Sequence, residues 1–259
     1  MADYQIEIDM SEETVDALDS GNFVLYGFKG VRTTLAGAPL VWFQSTNFAT
    51  NTYVDWTVDY ETYTFSGAII PGGVIRASNH YPTELGSTLN VTSDKGTGSV
   101  VQEGTSGALS IHNLTNKQFT CGISQKQFTG ASTPMCAFPL YGQHVDVIAP
   151  IERVLLMFSS MAVNTGTVIE KAYSPGILVD LTGARNRTVS YDINAGWSWG
   201  SAPWGRAVPA NAKLVPLLVE ATPDVLDEPV VPGAREPGAG VTLTAGTGVP
   251  ATAGNGVPA

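Results

Sequence analysis

The chain has 259 residues, of which 43% are hydrophobic and 14% are charged, and its formal net charge is −10. Charged residues usually make up about 25% of a protein, so Thr, Ser, Asn and Gly carry much of the polarity here, as is typical of strands and turns. The shortage of Lys and Arg argues against nucleic acid as a partner, because phosphates are bound by those residues.

The first predicted element is a short helix near the N-terminus. Ser11 can cap its start, and the two acids that follow complement the helix dipole. Val15 and Leu18 share one face, and Gly21 ends the helix. Almost everything after this helix is predicted to be strand.

Two segments alternate apolar and polar residues with the two-residue period of a half-buried strand. In "YVDWTVDYE" the apolar positions are Val54, Trp56, Val58 and Tyr60. In "RTVSYDIN" they are Val189, Tyr191 and Ile193. Each segment is therefore predicted to place one face in a core and the other in water.

Three continuous apolar runs, "PLVWFQ", "VLLMFSS" and "GILVDL", predict strands that are covered on both faces. Turn sequences stand at 71–73 ("PGG"), 94–98 ("DKGTG") and 182–185 ("TGAR"). Short strands separated by such turns favour an all-β fold of the β-sandwich type.

The chain is predicted to contain two related sandwich-like units, residues 1–95 and 96–220. The basis is a weak similarity between residues 23–43 and 119–138, each of which opens and closes with Phe and is followed by a long strand pair. Residues 221–259 are rich in Pro, Gly, Ala and Thr, and they are predicted to form a flexible tail.

The stretch "GWSWGSAPWG" supplies the candidate ligand-binding residues, which are Trp197, Trp199, Trp204 and, on the preceding strand, Tyr191. Aromatic faces beside glycine suit a sugar-stacking platform or a membrane-interface wedge. The competing interpretation is that Trp197 and Trp199 continue the inward face of Tyr191, since the two-residue register reaches both. Trp204, beyond the turn, is expected to be the most exposed of the three.

Other chemistry has little support in the sequence. Cys121 and Cys136 are predicted to be buried free thiols, with a bridge between neighbouring strands left open. His144 and Asp146 share the spacing of one strand face, but no metal motif accompanies the three histidines, so no metal or cofactor is expected. No nucleophile elbow or phosphate loop is present in the sequence.

We therefore expect a non-enzymatic recognition or assembly protein, an oligomer that binds carbohydrate or protein through aromatic and Thr/Asn/Ser surface. The alternative is a membrane-active, pore-forming-like β-protein that uses the Trp cluster. A glycosidase is the third option, since two carboxylates suffice for that chemistry. Without a visible signal peptide, the expected location is the cytoplasm or a site reached by another route of release.

Overall fold

A computed structural model describes residues 3–127 and 130–221. The first elements are β1 (Tyr4–Asp9), α1 (Glu12–Ser20), β2 (Val24–Thr33), β3 (Ala38–Pro39), β4 (Phe43–Ser45), β5 (Asn51–Phe65), β6 (Asn79–Pro82), β7 (Ser87–Val91) and β8 (Gly98–Val101). The others are β9 (Leu109–Asn113), β10 (Phe119–Gln127), β11 (Ser132–Pro134), β12 (Cys136–Leu140), β13 (Val145–Ser159), β14 (Gly176–Asp180), β15 (Asn186–Asp192), β16 (Gly196–Ser198), β17 (Gly205–Val208), α2 (Val215–Leu218) and β18 (Val219–Ala221). The all-β prediction is confirmed.

The predicted N-terminal helix is present as α1. Ser11 Oγ accepts a hydrogen bond of 3.2 Å from the amide of Thr14, which satisfies one of the free donors of the first turn. Leu18 is buried and Val15 is partly buried against the main core, while Gly21 follows the last helical residue. The capping and patterning signals therefore located this helix correctly.

The strands form two sheets of nine. In the first sheet the order is β16, β15, β1, β5, β10, β12 and β3, with β11 on β10 and β6 on β5. In the second sheet the order is β17, β14, β13, β9, β7 and β8, with β2 on β13 and with β4 and β18 on β2. The main hydrophobic core contains residues from both sheets.

Strands from both sides of residue 95 pair with each other in both sheets. In the first sheet β1 runs parallel to β15, and β5 runs antiparallel to β10. In the second sheet β7 runs parallel to β9, and β2 runs antiparallel to β13. The boundary predicted between residues 95 and 96 therefore does not separate one sheet from another.

The two sheets nevertheless repeat one pairing pattern. In the first, the hairpin of β15 and β16 lies parallel to β1, and the 15-residue strand β5 pairs with β1, β6 and β10. In the second, the hairpin of β7 and β8 lies parallel to β9, and the 15-residue strand β13 pairs with β9, β14 and β2. Each sheet thus combines strands from both sides of residue 95.

The alternation predicted along β5 is correct except at one residue. Val54, Trp56 and Tyr60 are buried, but 47% of Val58 is exposed. The pairing of β5 with β10 shifts register between Trp56 and Tyr60, as it does at a β-bulge. The extra residues in this bulge turn Val58 away from the core, so the prediction that Val58 faces inward is wrong.

The strand predicted from "VLLMFSS" is covered on both sides. Val154, Leu156 and Phe158 of β13 belong to the main core, whereas Leu155 and Met157 belong to a second apolar cluster that includes Leu214 and Leu218 beside and within α2. A continuous apolar run fits this environment because both faces of β13 are buried from Val154 to Phe158.

The predicted turns and thiols are also confirmed. Gly72, Gly96 and Gly183 adopt φ angles of 75°, 76° and 76°, a conformation that favours glycine in turns. Cys121 and Cys136 are free and buried.

The described residues contain no helix that meets the length and hydropathy requirements for crossing a membrane. Ala221 ends β18, and the remainder of the predicted tail, residues 222–259, lies outside the described residues.

Candidate functional site

Trp197 is packed within an aromatic corner at one edge of the first sheet. Its ring stacks on Phe158 of β13, with centroids 5.4 Å apart and planes 14° apart, and lies 4.9 Å from the ring of Tyr191. Tyr191 and Trp197 are direct partners in the pairing of β15 with β16. Both are partly buried against the main core. Indole Nε1 of Trp197 is buried without a hydrogen-bond partner among the described residues.

Trp199 and Trp204 are also partly buried against that core. Trp199 Nε1 donates a hydrogen bond of 3.1 Å to the carbonyl of Ala202, which fixes the ring within its own turn. Trp204 lies beneath the guanidinium group of Arg187, at 5.1 Å from the ring centroid. Trp204, predicted to be the most exposed of the three, thus falls in the same partly buried class as Trp197 and Trp199.

A different surface presents the polar residues expected of a recognition site. β1, β5 and β15 lie side by side, and the residues that point away from the core form one open patch, which we call the outer polar face. It consists of Gln5, Glu7 and Asp9 of β1, Asn51, Tyr53 and Asp55 of β5, and Asn186, Thr188 and Ser190 of β15. The register places Glu7 between Tyr53 and Thr188, at the centre of this patch.

Hydrogen bonds tie the outer polar face together around Glu7. The Tyr53 hydroxyl donates to Oε1 of Glu7 at 3.0 Å, and the Thr188 hydroxyl donates to Oε2 at 3.3 Å. The amide of Asn51 donates to Glu7 at 3.2 Å and to Asp9 at 3.0 Å. This network holds the acceptors and the aromatic ring in fixed relative positions.

Tyr53 is the large apolar group of this face, and 52% of it is exposed. The hydrogen bond to Glu7, together with the charge of Glu7, raises the pKa of the Tyr53 phenol above its ordinary value. The ring therefore stays uncharged, and the carboxylates and amides around it can accept from and donate to hydroxyl groups. None of the nine residues is basic, so the face is unsuited to an anionic ligand.

The histidines do not form a metal site. No group of three or more His, Cys, Asp or Glu side chains within residues 3–127 and 130–221 is placed to hold a metal ion. His144 is exposed and its Nδ1 is 2.7 Å from the carbonyl oxygen of Gly142, whereas Asp146 is buried and accepts a hydrogen bond of 3.1 Å from Thr33. The suggested pairing of His144 with Asp146 on one face is therefore wrong.

A cavity of ≈640 Å³ lies away from both surfaces described above. Short side chains make up much of its wall, among them Ala36, Ala38 and Ala68, and Ile69 and Val168 also contribute. Its volume is in the range of small-molecule pockets, but this wall suits an apolar ligand better than a sugar.

Sequence reasoning missed one buried polar cluster. Lys29 lies in β2 with its side chain fully buried, and its Nζ is 2.8 Å from Oε2 of Glu152. The available signal was the single basic residue inside the apolar stretch "VLYGFKGV", which is unusual because lysine is seldom fully buried without a partner.

Comparisons of the chain with protein-family models, with curated proteins and with solved structures give no match.

Proposed function

We propose that this chain is a non-enzymatic recognition protein that binds carbohydrate through the outer polar face. The observation that carries the proposal is the exposed ring of Tyr53, which is held by Glu7 among carboxylate, amide and hydroxyl groups. An aromatic face offers contact area to the apolar side of a sugar ring, and the surrounding acceptors can bind its hydroxyls. Neutral and amino sugars fit this charge pattern, whereas acidic sugars do not.

The proposal differs from the sequence expectation in its choice of aromatic residue. Trp197, Trp199 and Trp204 are partly buried against the main core. Tyr53 is not among the residues that pack against that core, and its hydroxyl is bonded to Glu7 on the outer polar face. The same limited exposure weakens the case for a membrane-inserting Trp cluster, because interfacial anchoring needs rings that can reach the lipid.

A glycan array with neutral, amino and acidic sugars tests the function, and calorimetry on the selected glycan tests the site. We expect Tyr53→Ala to weaken binding by about tenfold or more, as the loss of an aromatic contact does. Tyr141→Ala is the matched control, since 46% of Tyr141 is exposed outside the outer polar face. Equal binding by wild type and Tyr53→Ala would place the ligand elsewhere. An empty array would contradict the carbohydrate function itself.

A further inference from the structure

The amine of Lys29 lies in the interior beside two indole rings. Its Nζ is 4.4 Å from the ring centroid of Trp56 and 5.5 Å from that of Trp42. The ion-pair partner of Lys29 within the described part of the chain is Glu152, whose Oε2 lies 2.8 Å away. Lysine and carboxyl group therefore face each other in a largely apolar space.

Both oxygens of the Glu152 carboxyl group also receive hydrogen bonds from neutral donors. Trp56 Nε1 donates to Oε2 at 3.1 Å, and the Tyr60 hydroxyl donates to Oε1 at 3.4 Å. Glu152 reaches this position because the pairing of β13 with β2 shifts register between Ile151 and Val154. Fixed donors of this kind stabilise negative charge that develops on oxygen during attack at a carboxyl carbon.

The surroundings favour the uncharged form of the Lys29 amine. Burial lowers the pKa of Lys29 below its ordinary value, although the charge and hydrogen bond of Glu152 act in the opposite direction. Desolvation makes a buried ion pair costly. Transfer of one proton from Nζ to the carboxylate gives a neutral amine in contact with a carboxylic acid, which are the reactants of amide formation.

We propose that Lys29 and Glu152 condense into an intramolecular isopeptide bond. The Nζ lone pair attacks the carboxyl carbon of Glu152, and a C–N bond forms. The C–O bond to one carboxyl oxygen then breaks, and that oxygen leaves as water with its own proton and one proton from the amine. No electrons are exchanged with an oxidant or a reductant, and Trp56 and Tyr60 donate to the oxygens of the tetrahedral intermediate.

Two features favour this condensation over a lasting ion pair. The reacting groups are held on neighbouring strands, which gives them a very high effective concentration. The amide product is uncharged, so its formation removes both buried charges.

Glu152 keeps 16% of its side chain exposed, which leaves a path for the released water. The bond would tie β2 to β13 across the two parts of the chain.

The test is the mass of the full chain after purification and complete denaturation. We expect the wild-type protein to be lighter than its sequence mass by one water molecule, and trypsin to leave the Lys29 site uncleaved and joined to the peptide that contains Glu152. Tandem mass spectrometry of that joined peptide locates the bond. A denatured wild-type chain with its full sequence mass and free Lys29 would overturn the proposal.

Two variants separate this bond from other losses of water. Lys29→Met cannot form it, so we expect the full sequence mass, and a remaining deficit of one water would contradict the assignment. Glu152→Gln can condense with the release of ammonia instead of water, so its cross-linked mass should equal that of the cross-linked wild type. Wild-type mass alone decides the question if either variant fails to fold.

Discussion

Tyr53 and Glu7 are direct partners in the pairing of β5 with β1, and the Tyr53 hydroxyl donates a hydrogen bond of 3.0 Å to Oε1 of Glu7. This bond links the exposed ring to the acceptor that also binds Thr188 and Asn51. The central carboxylate of the outer polar face therefore sets the position of its aromatic group.

Replacing Glu7 with Gln should lower the pKa of Tyr53 toward its ordinary value. The negative charge and the hydrogen bond of Glu7 both favour the protonated phenol, so removing the charge makes ionisation easier. NMR titration with ring-labelled tyrosine measures this directly and needs no ligand. Glu13→Gln, at an exposed position of α1, is the control and should leave the Tyr53 titration unchanged. An unaltered Tyr53 titration in Glu7→Gln would mean that the bond does not form in solution.

Replacing Trp197 with Ala should destabilise the fold, because its ring stacks on Phe158 and contacts Tyr191. Full burial of such a ring is associated with losses of 3–5 kcal/mol on truncation to Ala, and the partial burial here leads us to expect about 2–4 kcal/mol. Urea unfolding, followed by circular dichroism, measures the change in the free energy of unfolding.

Trp204→Ala is the comparison variant within the same segment. Its ring is partly buried against the main core, as that of Trp197 is, and its cation–π contact with Arg187 adds about 0.5–1 kcal/mol. Trp197 has ring contacts with both Phe158 and Tyr191, so we expect a smaller loss for Trp204→Ala than for Trp197→Ala. A larger loss for Trp204→Ala than for Trp197→Ala would reverse our assignment of the structural ring. Dye release from vesicles by the wild type would revive the membrane-active alternative for this cluster.

Replacing Asp146 with Asn should stabilise the protein at neutral pH. Burial raises the pKa of Asp146 from 3.8 to about 6, although hydrogen bonds from Thr33, Cys121 and Thr34 act to lower it. The unfolded chain therefore loses this proton at lower pH than the folded chain, so ionisation costs stability as the pH rises from 3.8 to about 6. At pH 8 the cost is about 3 kcal/mol, which the Asn variant avoids.

The pH dependence distinguishes this effect from a simple change in packing. The advantage of Asp146→Asn should disappear below pH 3.8, where Asp146 is protonated in both states. Thermal unfolding between pH 3 and pH 8 measures the trend, and Asp16→Asn, on the exposed side of α1, is the control. A gain that does not vary with pH, or a loss at pH 8, would contradict the proposed ionisation.

Local sequence signals predicted the local structure well. The cap at Ser11, the glycine turns and the apolar run of β13 each depend on residues close in sequence, and each is present. The prediction that Val58 faces the core failed because a β-bulge changes the side-chain period without leaving a sequence signal of its own.

The pairing of strands that lie far apart in the sequence could not be predicted from these local signals. The parallel pairing of β1 with β15 joins residues at opposite ends of the described chain, and neither strand carries a sequence signal that identifies its partner. The outer polar face depends on that partnership, since Thr188 meets Glu7 only through it. The Lys29 cluster likewise depends on the pairing of β13 with β2, since only that pairing brings Glu152 next to Lys29.

Replacing Glu220 with Gln should loosen the last described strand, β18. Glu220 accepts hydrogen bonds of 2.6 Å from Arg153 and 3.1 Å from Arg32, and β18 is otherwise held by parallel pairing with β2. Partial burial alone would raise the pKa of Glu220, but the two arginines lower it below 4.5. The stabilisation is therefore present above pH 4.5 and is lost as the pH falls through the lowered pKa.

The expected loss is about 0.5–1 kcal/mol at pH 7, because these side chains are partly exposed and solvent screens the pair. Hydrogen exchange at the amides of residues 219–221 measures the local opening of β18 and should become several-fold faster in Glu220→Gln. Glu170→Gln, an exposed acid before α2, is the matched control and should leave that exchange unchanged. Equal exchange in Glu220→Gln and the wild type would show that backbone pairing with β2 holds β18 without the arginines.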